Sequence, residues 1–235
     1  MKYITTLLLV SVLGILFGGC DGPPPGAPVT PVAGASPPIQ SAPRTKLDSN
    51  LLRRNFYVVF DGSGSMEERR AAGNSTKILV AKQAVGNFAK LLMPEDNLGL
   101  FVFDGHGVSE RVPLGSGPQN RQAFNGAVQE IVANGGTPLY QAIGTGVAQL
   151  SAQMQKQLGY GEYHLVVVTD GEASDRDDGI INRIVASPII LHTIGFGISG
   201  GHSLNQPGKV YYAEAQNPDQ LVKGLSSVLA ESTKF

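Results

Sequence analysis

The sequence predicts an α/β fold: a doubly wound, mostly parallel sheet with helices on both faces and one antiparallel edge strand. Three observations carry it. From residue 55 onward, short β-branched or aromatic runs with no polar face alternate with longer stretches of helical period, the pattern of strands buried on both sides by crossover helices. "DGHG" (104–107) joins two of these runs and is too short for a crossover, so that pair is antiparallel. Of the 235 residues, roughly 185 remain once the N-terminal segments are set aside, enough for one well-buried core.

The elements follow in order. "NFYVVF" (55–60) is a continuous apolar strand, and "TKILVAKQAVGNFAKLL" (76–92) carries Ile78, Leu79, Ala81, Val85, Phe88, Leu91 and Leu92 at helical spacing. "LGLFVF" (98–103) is the next strand, with the weaker, alternating "VSERV" (108–112) as its antiparallel neighbour. Helices are expected over 119–133 and 138–157, then the strand "YHLVVVT" (163–169) and a short helix near 178–186. The strand "IILHTIGF" (189–196), a short strand "VYYAE" (210–214) and a helix from Pro218 to about Ser232 complete the pattern. The Gln141, Gln149, Gln153 and Gln157 face of the 138–157 helix reads as solvated surface.

Ahead of this domain, 47–235, lie segments of another kind. Lys2 precedes an apolar run from Ile4 to Phe17 and then "GGC", the form of a secretory signal over 1–19 and shorter than the roughly 20 apolar residues that span a bilayer. Cys20 is the one cysteine, so no intrachain disulfide forms, and a lone thiol before a tether makes sense as an attachment point. Its setting after Gly18 and Gly19 resembles a bacterial lipobox, with Phe17 where that motif usually has leucine. The resemblance implies a lipid on Cys20. Residues 21–46 hold eight of the fifteen prolines and almost no large apolar side chains, so 20–46 reads as an extended linker. Without residues 1–19 the charge is 17 basic to 19 acidic residues, which gives no electrostatic footprint for nucleic acid or an anionic membrane surface.

Ligands of doubly wound sheets sit beyond the carboxyl ends of the strands, where the winding reverses. The first strand ends in Asp61, Gly62, Ser63, Gly64 and Ser65, the 163–169 strand in Asp170, Gly171 and Glu172, and "NGGTPLY" sets Thr137 just before a helix. Singly, each is a turn or a helix cap. Together they bring two carboxylates and several hydroxyls to one rim, with glycines that let the backbone fold tightly. That chemistry suits a hard cation such as Mg2+, which takes oxygen ligands and keeps several waters. Soft-metal ligands are missing, because Cys20 is far away and the histidines are not clustered.

D-G-S-G-S after a central strand, the threonine of "GGTPL" and the aspartate of "VVTDGE" resemble the metal-ion-dependent adhesion site of the von Willebrand factor type A domain. The likeness covers residues 52–232 and includes "LHTIGFGI". It implies that the hydroxyls of Ser63 and Ser65 coordinate the ion, and that Thr137 does so directly or through water. Asp61 and Asp170 would hold coordinated waters, Asp170 able to approach the metal in some states. The ion would be Mg2+, with Mn2+ or Ca2+ as substitutes, and a glutamate or aspartate of a partner protein would fill the open position. Glu172 either tunes the site or is an exposed loop acid. The implied activity is binding, not catalysis, at a lipid-anchored location in the bacterial envelope. Asp21 resembles an inner-membrane retention signal and so favours the periplasmic side of that membrane.

Two rival readings arise. "GFGISG" (195–200) matches G-x-G-x-x-G, but "GHSLNQPG" follows where a helix should open, so no nucleotide cofactor is expected. The alternative function is a Mg2+-dependent phosphatase or other hydrolase using Asp61, although Ser63 departs from the D-x-D of haloacid-dehalogenase phosphatases. Neither Ser63 nor Ser65 sits in a G-x-S-x-G elbow, no histidine lies near them in sequence, and His106 reads as a solvated loop residue.

Overall fold

Strands β1 (Arg54–Asp61), β2 (Asn97–Asp104), β3 (Gly107–Gly115), β4 (Glu162–Thr169), β5 (Ile189–Phe196) and β6 (Tyr211–Ala215) form one sheet in the order β3-β2-β1-β4-β5-β6. All neighbours are parallel except β2 and β3. The structure is a computed structural model that describes residues 46–177, 179–198 and 201–232. The expected signal segment 1–19, Cys20 and the linker up to residue 45 lie outside the described residues.

The helices are α1 (Lys77–Leu91), α2 (Gly117–Glu130), α3 (Leu139–Lys156), α4 (Ile180–Val185) and α5 (Pro218–Glu231). They cover both faces because strand side chains alternate. Phe56, Val58 and Phe60 of β1 meet Val85, Phe88, Phe124 and Leu225 from α1, α2 and α5. Tyr57 and Val59 point the other way, onto Ile143, Leu150, Ile180 and Ile184 from α3 and α4. All five of these β1 residues are fully buried, each worth on the order of 2 kcal/mol in apolar transfer. Between β1 and β4 the winding reverses: the chain passes from β1 outward to β2, and from β4 outward to β5. The crevice this makes lies beyond Asp61 and Thr169.

Several boundaries differ from the sequence expectation. The edge strand β3 runs to Gly115, with register shifts between Leu98 and Phe101. Pro113, which has no N–H for a ladder, falls in that irregular stretch. Helix α2 stops at Glu130 instead of 133, because Ile131 turns to an extended backbone (φ −60°, ψ 132°) and buries its side chain. After β1 the chain forms a 3-10 turn, Gly64–Glu67, anchored by the wholly buried Met66.

The glutamine face of α3 is not all solvated. Gln153 and Gln157 are 6% and 0% exposed, because residues 48–53 lie over the end of the helix. The Gln157 amide donates to the carbonyls of Asn50, Leu51 and Arg53 at 3.0–3.3 Å and accepts from Asn55 Nδ2 at 2.8 Å. Gln153 donates to Asp48 Oδ2 at 2.7 Å.

Candidate metal centre

β1 is extended and apolar up to Phe60, and its parallel pairing sets Phe60 beside Val168. One residue further, Asp61 therefore meets Thr169. Asp61 is wholly buried and both of its oxygens are used: Oδ1 accepts from Ser63 N at 2.8 Å and Oδ2 from Thr169 Oγ1 at 2.5 Å. Burial pushes its carboxyl above the ordinary value, the charge of Asp170 adds to this, and the bonds from Ser63 and Thr169 hold it back. The chain can turn here because Gly62 has no side chain: a Cβ would come within 2.7 Å of Asp104 Cβ.

The turn aims two hydroxyls at the end of β4. Ser63 Oγ lies 3.1 Å from Ser65 Oγ, and Ser65 Oγ donates to Asp170 Oδ1 at 2.7 Å. Asp170 Oδ2 accepts from Lys77 Nζ at 2.8 Å, and the same ammonium donates to Glu68 Oε2 at 3.0 Å. The Lys77 hydrogen bond and charge hold the Glu68 carboxyl below its ordinary value.

A third loop closes the rim. Gly64 N donates to Gly135 O at 3.1 Å, Asn134 N to Gly62 O at 2.9 Å, and Ser174 N to Thr137 O at 2.8 Å. These bonds seat Thr137 beside both the serine turn and the β4 exit. Thr137 is 9% exposed, and no hydrogen bond within the described residues uses its hydroxyl. The structure thus links Asp61, Ser63, Ser65 and Asp170 through hydrogen bonds and sets Thr137 on the adjoining loop. Glu172 turns aside and accepts from Ser203 N at 3.1 Å, tying down the segment after β5. His202 does the same through Gly171 O at 2.9 Å.

Among the described residues no group of three or more His, Cys, Asp or Glu side chains could hold a metal. The oxygen set here is of a different kind: two carboxylates and three hydroxyls. Its spacing is the useful test. Octahedral Mg2+ with ligands at about 2.1 Å sets neighbouring oxygens √2 times further apart, about 3.0 Å. The separations of 3.1 Å and 2.7 Å are close to that, so such a cation could replace the hydrogen-bonding protons with little movement of the oxygens.

Two residues that matter were not singled out from the sequence. Thr169 reads as the last β-former of a strand, and Lys77 as the solvated start of an amphipathic helix; yet both are at most 1% exposed. The near repeat "TKILVAK", with lysines five apart, gives no sign that one is buried. The rival residues fall elsewhere. His106 is exposed in the β2–β3 turn, and Asp104 nearby is pinned by Arg111 Nη2 at 2.7 Å and Val132 N at 3.1 Å. After "GFG", residues 201–210 form turns and no helix, so the phosphate-binding context of that motif is missing.

A doubly wound sheet with hydroxyls and carboxylates gathered at its switch point defines a class of α/β domain. Residues 55–223 match the family model of the von Willebrand factor type A domain, and the chain belongs to that family. It is 29% identical over 187 residues, 71% of this chain and 80% of the other, to the "Uncharacterized protein YwmD" of Bacillus subtilis (strain 168). Among solved structures, a von Willebrand factor type A protein from Catenulispora acidiphila superposes with a TM-score of 0.62 at 18% identity. That match covers 77% of this chain and 43% of the other, so this chain spans less than half of that protein. Proximal thread matrix protein 1 from the mussel byssus, described with a zinc-occupied MIDAS motif, superposes with a TM-score of 0.58 at 16% identity. There the match covers 78% of this chain and 48% of the other.

Proposed function

We propose that this chain is an envelope protein, lipid-anchored through Cys20, whose type A domain binds a carboxylate of a partner protein through a divalent ion. Mg2+ is the ion proposed, with Mn2+ or Ca2+ as substitutes. The observation that carries the reading is the run Ser63 Oγ, Ser65 Oγ, Asp170 Oδ1 at octahedral spacing. Ser63, Ser65 and Thr137 would offer hydroxyls to the ion. Asp61 and Asp170 would orient those hydroxyls and the waters beside them. A bound ion supplies positive charge at the rim. With so few carboxylates touching it, it keeps a demand for an anionic ligand, which an aspartate or glutamate of the partner meets. The relative with a zinc-occupied site on the same fold supports a metal at this place.

A phosphatase using Asp61 is the weaker reading. A nucleophile needs an exposed oxygen, and Asp61 is fully buried with both oxygens engaged.

Calorimetric titration of the full-length chain with Mg2+ or Mn2+ tests the proposal. One site is expected, weakened at least tenfold in Ser65→Ala, and affinity for a glutamate-bearing peptide should appear only with metal present. Absence of metal binding, with or without the peptide, defeats it. Metal-dependent turnover of a phosphate ester that Asp61→Asn abolishes would favour the rival. Mass spectrometry of the exported protein checks the lipid on Cys20.

A further inference from the structure

Lys77 opens α1 and is 1% exposed. Two general rules oppose a lysine there: the N-terminus of a helix is its positive end, and taking an ammonium out of water is costly unless it is well paired. The molecule accommodates it nonetheless. Gly197, at φ +71°, leaves room beside the stem, where a Cβ would lie 3.0 Å from Lys77 Cε. The ammonium sits between Asp170 Oδ2 at 2.8 Å and Glu68 Oε2 at 3.0 Å. Asp170's side chain is 0% exposed and Glu68's 57%, so the three groups run from the buried cluster to water.

We propose that Lys77 is the specificity-determining residue of the metal site: it occupies one oxygen of Asp170, cancels one carboxylate charge, and so makes the site select a small octahedral ion. The inference rests on the reading that the cluster holds a divalent cation. Denticity is the first consequence. Mg2+ takes single oxygens in a strict octahedron, while Ca2+ takes six to eight and readily accepts a carboxylate through both oxygens. With Oδ2 held by Lys77 and Oδ1 beside Ser65 Oγ, Asp170 has one oxygen to give. Charge is the second. The buried part of the site carries two carboxylates and one ammonium, so a doubly charged ion stays net positive there and calls for an outside anion. The third concerns the metal-free domain, in which Lys77 is the counter-ion that lets Asp170 stay buried.

Lys77→Met keeps the stem and removes the charge. The test measures, on full-length wild type and variant, calorimetric affinities for Mg2+ and Ca2+ and the melting temperature in EDTA and in saturating Ca2+. Expected in Lys77→Met are a lower melting temperature in EDTA, Ca2+ affinity raised at least tenfold, Mg2+ affinity raised by clearly less, and a larger melting shift on adding Ca2+. A lysine with only a packing role would lower stability with and without metal and leave the Ca2+ to Mg2+ affinity ratio unchanged, and that result overturns the proposal. Should Lys77→Met unfold in EDTA, refolding on addition of Ca2+ supports it and failure to refold with either ion refutes it. Glu68→Gln, at an exposed position, is the companion variant. Removing that outer charge should weaken both ions several-fold at an unchanged ratio; a changed ratio counts against Lys77 as the selector. Wild-type protein that binds neither ion fails the metal reading itself, which sets that failure apart from wild-type binding with an indifferent Lys77→Met.

Discussion

Acid should weaken this domain through His164, at the end of the sheet away from the oxygen cluster. His164 is wholly buried in β4, stacked on Phe56 with centroids 4.8 Å apart. Its Nδ1 lies 3.2 Å from His192 Nε2 and its Nε2 3.3 Å from Glu162 Oε2. Burial first, then the charges of His192 and Arg54, push its pKa from 6.5 down to about 3. The sign follows from which state holds the proton. The unfolded chain protonates His164 as pH falls through 6.5, while the folded domain keeps it neutral until about 3, so stability is lost across that window as pH falls. At 1.36 kcal/mol per unit, the loss is about 2 kcal/mol at pH 5, of which about 1.2 falls between pH 6 and 5. Urea unfolding of wild type and His164→Gln at pH 7, 6 and 5 measures it. The variant starts less stable, having lost the stack on Phe56, but its curve should be flatter by about 1 kcal/mol per unit between pH 6 and 5. Equal slopes in the two proteins would refute the reasoning.

Two further outcomes concern stability away from the cluster. Leu158 follows α3 at φ +53° and is 57% exposed, and Gly159 N bonds back to Met154 O at 3.0 Å, so a leucine occupies the left-handed position that favours glycine; Leu158→Gly should stabilise by about 1 kcal/mol and raise the melting temperature by roughly 2–4 °C. Gln157→Leu removes the amide that donates to the carbonyls of Asn50, Leu51 and Arg53, while Asn55 Nδ2 keeps Arg53 O and Glu162 O as acceptors; about 2 kcal/mol should be lost, read as a lower urea midpoint at unchanged slope, with faster proteolysis near residue 50.

What could be read from the sequence followed from locality. "NFYVVF" and "YHLVVVT" are apolar without a break, so strands buried on both sides were legible, as was the antiparallel pair from the four-residue connection. Asp61, Ser63 and Ser65 could be grouped because they share a turn, and Asp170 because it ends a like strand. Lys77 could not be. Its burial depends on Asp170, 93 positions away, and on the space at Gly197, neither of which leaves a mark on the local period. Gln153 and Gln157 misled for the same reason: a helical period says which residues share a face, but not that residues 48–53 return to cover it. Thr169 was hidden by its β-propensity, which accounts for a threonine at a strand end without any bond to Asp61.

The division of labour between the two aspartates bears on the proposed chemistry. Asp61 gives both oxygens to its own scaffold, one to Ser63 N and one to Thr169 Oγ1, so its work is to fix the turn that aims Ser63 and Ser65. Asp170 is the carboxylate that accepts from Ser65 Oγ, and Lys77 shares it. The rim therefore offers a cation geometry more than charge: hydroxyls at fixed spacing, one available carboxylate oxygen, and an ammonium behind it. An ion held this way would be positioned firmly and neutralised poorly. Under the proposal, a partner's carboxylate would then gain most of the electrostatic attraction that a more acidic cage would have kept for itself, and affinity for metal and affinity for partner would be linked quantities. By reciprocity, whatever factor the peptide adds to metal binding, metal must add to peptide binding; Lys77→Met, by letting Asp170 satisfy more of the ion, should shrink both factors together.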